Sequence, residues 1–251
     1  MIRLLLALLL LAPAARAETV VLGLSQNEVA ITATFDGSEI LIFGAVRRES
    51  PVPDGAALEV VITVAGPSER LVVRRKDRVA GIWMNTEGMV IDAAPSFYAV
   101  ATTGPLREVV TWTEDLRHSI SIPRAIRAVG DIEGISDPRS FREALIRIRA
   151  AAGDYQVLEE TIDLEEDTLF STSISLPANL TEGNYATRIF LTREGEVVDS
   201  YEAVIAVQKV GLERWLHALS QEQPFVYGLL SLVIAISAGW GASAAFRALQ
   251  S

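Results

Sequence analysis

The chain contains no cysteine. That excludes disulfides, lipidated cysteine and thiolate metal sites, so an exported domain of this sequence must rest on an ordinary hydrophobic core. Histidine is confined to His118 and His217. Two are too few for a histidine-rich metal site, and neither lies in a Gly-x-Ser-x-Gly context, so the expectation is two surface histidines and no catalytic residue. Lysine is nearly missing: Lys76 and Lys209 are two of the 22 basic residues, and the other 20 are arginine. We read this as a genomic bias. The formal net charge is −10, which argues against nucleic acid and against a broad attraction to anionic lipid.

Long apolar runs are also few, and two of them organise the chain. After Met1-Ile-Arg3 comes Leu4 to Ala12 and then Ala15-Arg-Ala17. A positive start, a short apolar stretch and a small-x-small site predict a signal peptide over 1–17, with the mature chain starting at Glu18. At the other end, Phe225 to Phe246 is 22 residues without a charge. At about 1.5 Å per residue that is roughly 33 Å, enough to cross a hydrocarbon core. Residues 209–223 read as an interfacial helix anchored by Lys209, Arg214 and Trp215, with Leu212, Leu216 and Leu219 on its apolar stripe. Pro224 separates it from the transmembrane helix 225–246, and 247–251 form a short tail. Glu222 before the span and Arg247 after it favour a periplasmic bulk, a cytoplasmic C-terminus and a single-pass, type I position in the inner membrane. Within the span, Gly228, Ser231, Ala235, Ala238, Ala242 and Ala245 recur at a 3,4 spacing as a candidate helix-association face, for a homodimer or a helix of another protein.

Between these ends the dominant pattern is β. Thr19 to Ser25, Val29 to Phe35, Ile40 to Val46, Ala57 to Val64, Arg70 to Arg75, Ile82 to Asn85 and Phe97 to Thr102 are short apolar or alternating runs, with Asp36-Gly37 as a hairpin signal. They predict an immunoglobulin-like β-sandwich over 18–104. Residues 105–153 read as a helical connector. Asp137-Pro138 starts its firmest helix, with Phe141, Leu145 and Ile148 on one face and Gly153 at the stop. Leu106 to His118 is a weaker helix, because Val-Val-Thr-Trp-Thr also suits a strand. Four further strand signals follow: Gln156 to Leu164, Thr168 to Leu176, Tyr185 to Thr192 and Val197 to Val207. They predict a second β-rich region over 154–208, covered by the middle helices or by a strand from 118–132. The fold class is mainly β, with an α+β second half and one C-terminal transmembrane helix.

Four features are candidates for chemistry. The basic run Arg70 to Arg78 places Arg70, Arg74 and Lys76 on the outer side of a strand, with Leu71 and Val73 inward. These three are the candidate patch for an anion or an acidic partner, against the simpler reading of a solvated face. The acidic run Glu159 to Asp167 lacks the order and central glycine of an EF-hand and fits a solvated sheet edge better. Trp83 with Phe97 and Tyr98 is a candidate pocket lining, although aromatic residues in strands are more often core. Asn179-Leu-Thr181 matches a glycosylation acceptor but is more simply part of the Pro177 to Gly183 turn. No metal or cofactor is expected.

The chain also resembles a family of putative transmembrane proteins of alphaproteobacteria. Phe141 to Arg147, Leu176 to Tyr185, Lys209 to Arg214 and Pro224 to Gly228 carry the likeness, and Gly81 to Asn85 and Ala94 to Tyr98 extend it into the first half. The resemblance implies a signal peptide, an exported domain and a C-terminal span, transfers no catalytic motif, and is associated loosely with exporters of small anions such as sulfite. The functional expectation is a non-enzymatic, membrane-anchored periplasmic protein that partners another inner-membrane protein, a small-anion transporter. The alternative is a tethered ligand-binding or sensing domain.

Overall fold

The computed structural model describes residues 18–25, 28–31, 37–48, 57–128, 137–209 and 219–249. The expected signal peptide over 1–17, residues 51–55, Arg214, Trp215, His217 and the end of the tail lie outside the described residues. The strands are β1 (Glu18–Leu24), β2 (Glu28–Ile31), β3 (Ser38–Arg48), β4 (Leu58–Ala65), β5 (Ser68–Val79), β6 (Ile82–Pro95), β7 (Tyr98–Thr102), β8 (Tyr155–Leu158), β9 (Asp163–Glu165), β10 (Leu169–Leu176), β11 (Gly183–Arg193) and β12 (Glu196–Lys209). The helices are α1 (Leu106–Val109), α2 (Trp112–His118), α3 (Ile122–Ala125), α4 (Pro138–Ala151) and α5 (Pro224–Leu249). The chain divides into a β-rich unit of residues 1–29 and 36–207 and a second unit of 30–35 and 208–251, which contains α5.

Burial follows the alternation of each strand. In β3, Ile40, Ile42 and Val46 are buried while Leu41 and Phe43 on the opposite face are exposed. β3 sits between β1 and β10 in a four-stranded sheet, order β1-β3-β10-β9. β4 is different: Val60, Ile62 and Val64 are buried, and so are Val61 and Thr63 between them. A strand apolar on both faces belongs in the middle of a covered sheet. β4 lies between β7 and β11 in a six-stranded sheet, order β2-β12-β11-β4-β7-β8.

The helices cover one face of that larger sheet. β7 and β8 pair in parallel, Tyr98 opposite Tyr155. A parallel pair needs a long crossover, and α1 to α4 supply it. Val109, Val110, Ile120, Ile122, Ile126, Phe141 and Leu145 form one core with Val61, Val100 and Phe190 of the sheet and Met89 and Ile91 of β6. Asp137 caps α4 by accepting from the Arg139 and Ser140 amides, at 3.1 and 3.4 Å. The weaker 106–118 helix is two helices. Thr111 is extended and accepts from the Glu114 amide at 3.5 Å, so it ends one turn and caps the next. Two tyrosines tie the layers: the Tyr98 hydroxyl donates to the Ile120 carbonyl at 2.7 Å, and Tyr155 to the Pro95 carbonyl at 2.8 Å. Desolvation pushes the Tyr155 hydroxyl up to about 12.

Strand partners depart from the expected immunoglobulin-like closure over 18–104. β3 pairs with β10, and β4 pairs with β11, so strands of 18–104 and 154–208 share both large sheets. Asp36 lies outside the described residues, and the strands on either side of it, β2 and β3, belong to different sheets. The alternation identified strands correctly, but it carries no information on which ladder each one completes. Of the covering strand expected from 118–132, the described residues 118–128 form one bridge, Ala93 opposite Arg127, and 129–132 lie outside the described residues. Lys209 closes β12 rather than opening an interfacial helix, because the alternating burial of Ile205 and Val207 runs on to the strand end.

In the second unit, Leu219–Glu222 are helical, Gln223 interrupts, and Pro224 opens α5. Proline fits there because the first turn needs no amide donor.

Gly44 tests the packing of the smaller sheet. A Cβ there would sit 2.3 Å from the Phe170 ring and 2.8 Å from the Val21 carbonyl oxygen. Gly44→Ala is expected to cost about 1–3 kcal/mol in chemical denaturation. Gly88→Ala, whose Cβ would meet nothing nearer than 3.6 Å, is expected to leave stability unchanged. Equal effects would contradict the Phe170 placement.

Candidate functional site

β5 and β6 form a two-stranded hairpin that is packed at its root and bare at its tip. Its turn is Ala80-Gly81, with φ of 51° and 87°. Two left-handed residues make the turn whose twist suits a tight hairpin. At the root, Met89 and Ile91 are buried and Leu71 and Val73 pack beside them in the helix-side core. Beyond Arg75 the ladder shifts register by one residue. From there outward Lys76, Asp77, Arg78 and Val79 face Asn85, Met84, Trp83 and Ile82.

Arg75 joins the hairpin to α4. It pairs with Glu87 at 3.1 Å, donates to the Ser140 hydroxyl at 2.6 Å, and stacks 5.0 Å from the Phe141 ring centre. Beside it runs a groove of about 390 Å³ lined by Arg74, Arg75, Lys76 and, from α4, Ser140, Glu143 and Arg147. Four cations from two elements line it with one carboxylate, Glu143, and Arg75 among them is paired with Glu87, in a chain of net charge −10. Such an arrangement suits a carboxylate or oxyanion held by charge-assisted hydrogen bonds.

Other charged groups are committed to the fold. Arg149 pairs with Asp154 at 3.1 Å and with Glu69. Burial works against its charge, but the hydrogen bonds to Asp154 and Glu69 prevail and hold the guanidinium above its ordinary pKa. Arg188 donates to the His118 carbonyl at 2.7 Å, the Ser119 carbonyl at 3.2 Å and the Tyr98 hydroxyl at 3.3 Å. His118 is half-buried rather than a free surface residue, its Nε2 3.3 Å from the buried Glu114 carboxylate, which also pairs with Arg117. Desolvation raises the Tyr98 pKa, partly offset by Arg188.

Of the sequence-predicted patch, Arg74 and Lys76 line the groove. Arg70 is exposed at a break in the β5–β6 register and is not among the lining residues. Arg75 and Arg147 carry no sequence signal of this groove: one reads as another member of the basic run, and the other lies on α4, 72 residues further along the chain. Trp83 does not meet Phe97 and Tyr98. It is 67% exposed while they are 1% exposed, because the turn carries it past the end of the core. The acidic run holds β9, the edge strand of the four-stranded sheet. Asn179 donates to Asp154 at 3.2 Å within the turn before β11. In α5, Gly228, Ser231, Ala235, Ala238 and Ala242 are exposed, and Ser231 donates to the Tyr227 carbonyl at 2.9 Å within the helix. Ala245 lies in the same helix.

Because Arg75 carries three contacts, Arg75→Ala is expected to lower stability by about 1 kcal/mol, a figure kept small for its partial exposure. Arg75→Lys should restore little, since an ammonium lacks the planar fork. Thermal melts of the full chain in mild detergent measure both, and an unchanged melting temperature for Arg75→Ala would mean that the root holds without the clamp.

Helix α5 contains a 20-residue stretch, Pro224–Ser243, with mean hydropathy 1.8 and none of it buried, long and apolar enough to cross a membrane. No curated protein matches the sequence. Among solved structures, the sporulation control protein Spo0M of Bacillus subtilis is similar over 82% of this chain and 55% of its own, at 11% identity and a TM-score of 0.26. The chain therefore spans about half the length of that structure, and so remote a likeness carries no argument. The family model described as "Putative transmembrane protein (Alph_Pro_TM)" matches residues 19–248. With that match and the apolar helix α5, the chain is a membrane protein and belongs to this transmembrane family.

Proposed function

We propose that this chain is a non-enzymatic, single-pass protein of the inner membrane whose β-rich domain lies in the periplasm and binds another inner-membrane protein, a small-anion transporter. The observation that supports this is the groove where Arg74, Arg75 and Lys76 of β5 meet Arg147 of α4. A cationic cleft on an acidic domain is suited to an acidic segment of a partner, because paired arginine–carboxylate contacts give orientation as well as attraction. The apolar helix α5 holds the domain near such a partner. In this reading residues 1–17 are removed on export, Glu18 begins the mature chain, and the C-terminus is cytoplasmic.

A second reading rests on the size of the same groove. About 390 Å³ is at the small end of ligand pockets. A domain that senses a small oxyanion would use the same cations. Thermal stabilisation of the full chain by sulfite, sulfate or phosphate at millimolar concentration, lost on Arg147→Gln, would favour this reading over the first.

Two outcomes follow. Replacing Arg70, Arg74 and Lys76 together with Gln should weaken co-purification of a membrane partner in mild detergent several-fold. Melting should barely change, since exposed substitutions cost within about ±0.5 kcal/mol. Undiminished co-purification would return the patch to a solvated face. A reporter fused after Ser251 should be active only in the cytoplasm, and N-terminal sequencing should give Glu18. Activity only in the periplasm would reverse the orientation.

A further inference from the structure

The hairpin tip has a composition the groove does not explain. Val79, Ile82, Trp83 and Met84 are 48%, 68%, 67% and 51% exposed, while the hairpin's root is packed. Nothing lies within 4 Å of a Cβ built on Gly81 at the turn. Cross-strand pairing sorts these residues onto both faces of the ribbon. Val79, Ile82 and Met84 share one face, and Trp83 stands on the other beside Arg78. Lys76 lies on the Trp83 face, two pairs further from the turn, and Arg74 follows down the same strand. Asp77 is the one acidic residue between Lys76 and Trp83, and its carboxylate is occupied by the Thr86 hydroxyl.

We infer that this tip docks on the surface of an anionic bilayer, with its apolar residues among the acyl-chain ends and Arg78 and Lys76 at the phosphate level. The occupant follows from the shape of the apolar surface. A protein partner covers one face of an element, whereas lipid surrounds an inserted tip on all sides, and here each face carries exposed large apolar residues: Val79, Ile82 and Met84 on one, Trp83 on the other. Tryptophan beside cations is the composition favoured at the membrane–water boundary. The overall charge of −10 opposes broad attraction to anionic lipid, so the contact is confined to this local basic stretch. Anchorage of the same chain by α5 raises the effective concentration of the tip near lipid, so weak docking suffices. The inference needs the membrane anchor and shares Lys76 with the groove, but Trp83 and Arg78, the residues its test replaces, do not line it.

The absence of cysteine makes the test direct. The full-length chain carrying Ala80→Cys, labelled with an environment-sensitive fluorophore, is placed singly in nanodiscs of phosphatidylcholine with or without phosphatidylglycerol. Ser173→Cys, exposed on β10, carries the same label as the control for the dye's own affinity. With phosphatidylglycerol the label at 80 should shift to the blue and lose several-fold of its quenching by aqueous iodide, and the label at 173 should not. Trp83→Ser with Arg78→Gln should abolish the shift while leaving the melting temperature unchanged, since both side chains point away from the core. A label at 80 that stays as accessible as that at 173 in anionic discs would overturn the inference. So would shielding at 80 that appears in detergent and grows with protein concentration, which would assign the tip to a second copy.

Discussion

The double pairing of β4 is the constraint on which the rest of the β-rich unit depends. Its eight residues are apolar on both sides apart from Glu59 and Thr63, so it must be covered on both sides and paired along both edges. β11 and β7 satisfy the edges, the helices cover the face that carries Val61, and Val60, Ile62 and Val64 are buried on the other. Removing any of these partners would leave either apolar area or backbone donors and acceptors exposed. The parallel pairing of β7 with β8 follows from the same arrangement, because the chain must cross over the helical face to return.

That packing also decides where the surface chemistry lies. β6 has to contribute Met89 and Ile91 to the helix-side core, which pins the root of the β5–β6 hairpin there. β5 and β6 run on past the last core residue, and the turn at Ala80-Gly81 lies beyond any neighbour. The basic run is thereby stretched along a ribbon whose inner part meets α4 and whose outer part meets solvent. Arg75 sits at the boundary: its contacts with Glu87, Ser140 and Phe141 fix the groove on one side and release the tip on the other. One basic run therefore supplies two different surfaces, a cleft and an exposed point.

The sequence by itself determined the elements and the anchor. Alternation located β1, β3, β10, β11 and β12 to within a few residues, since burial on one face of a strand leaves a period of two in the residues, and short unbroken apolar runs located β4 and β7, which are buried on both faces. Asp137-Pro138 announced α4 through a cap that needs only neighbouring backbone amides. The uncharged run from Phe225 announced α5, because crossing a bilayer demands local composition and length and nothing from elsewhere in the chain. The tertiary structure alone decided the partners. Nothing in the runs of β3 and β4 specifies that residues more than 120 positions later complete their sheets, because ladder hydrogen bonds are made by backbone that every residue shares. Nor could the sequence join Arg147 to Arg74 and Lys76, or strand Trp83 outside the core. Those outcomes depend on how far a ribbon runs past its packing, which is a distance in space and leaves no period in the chain.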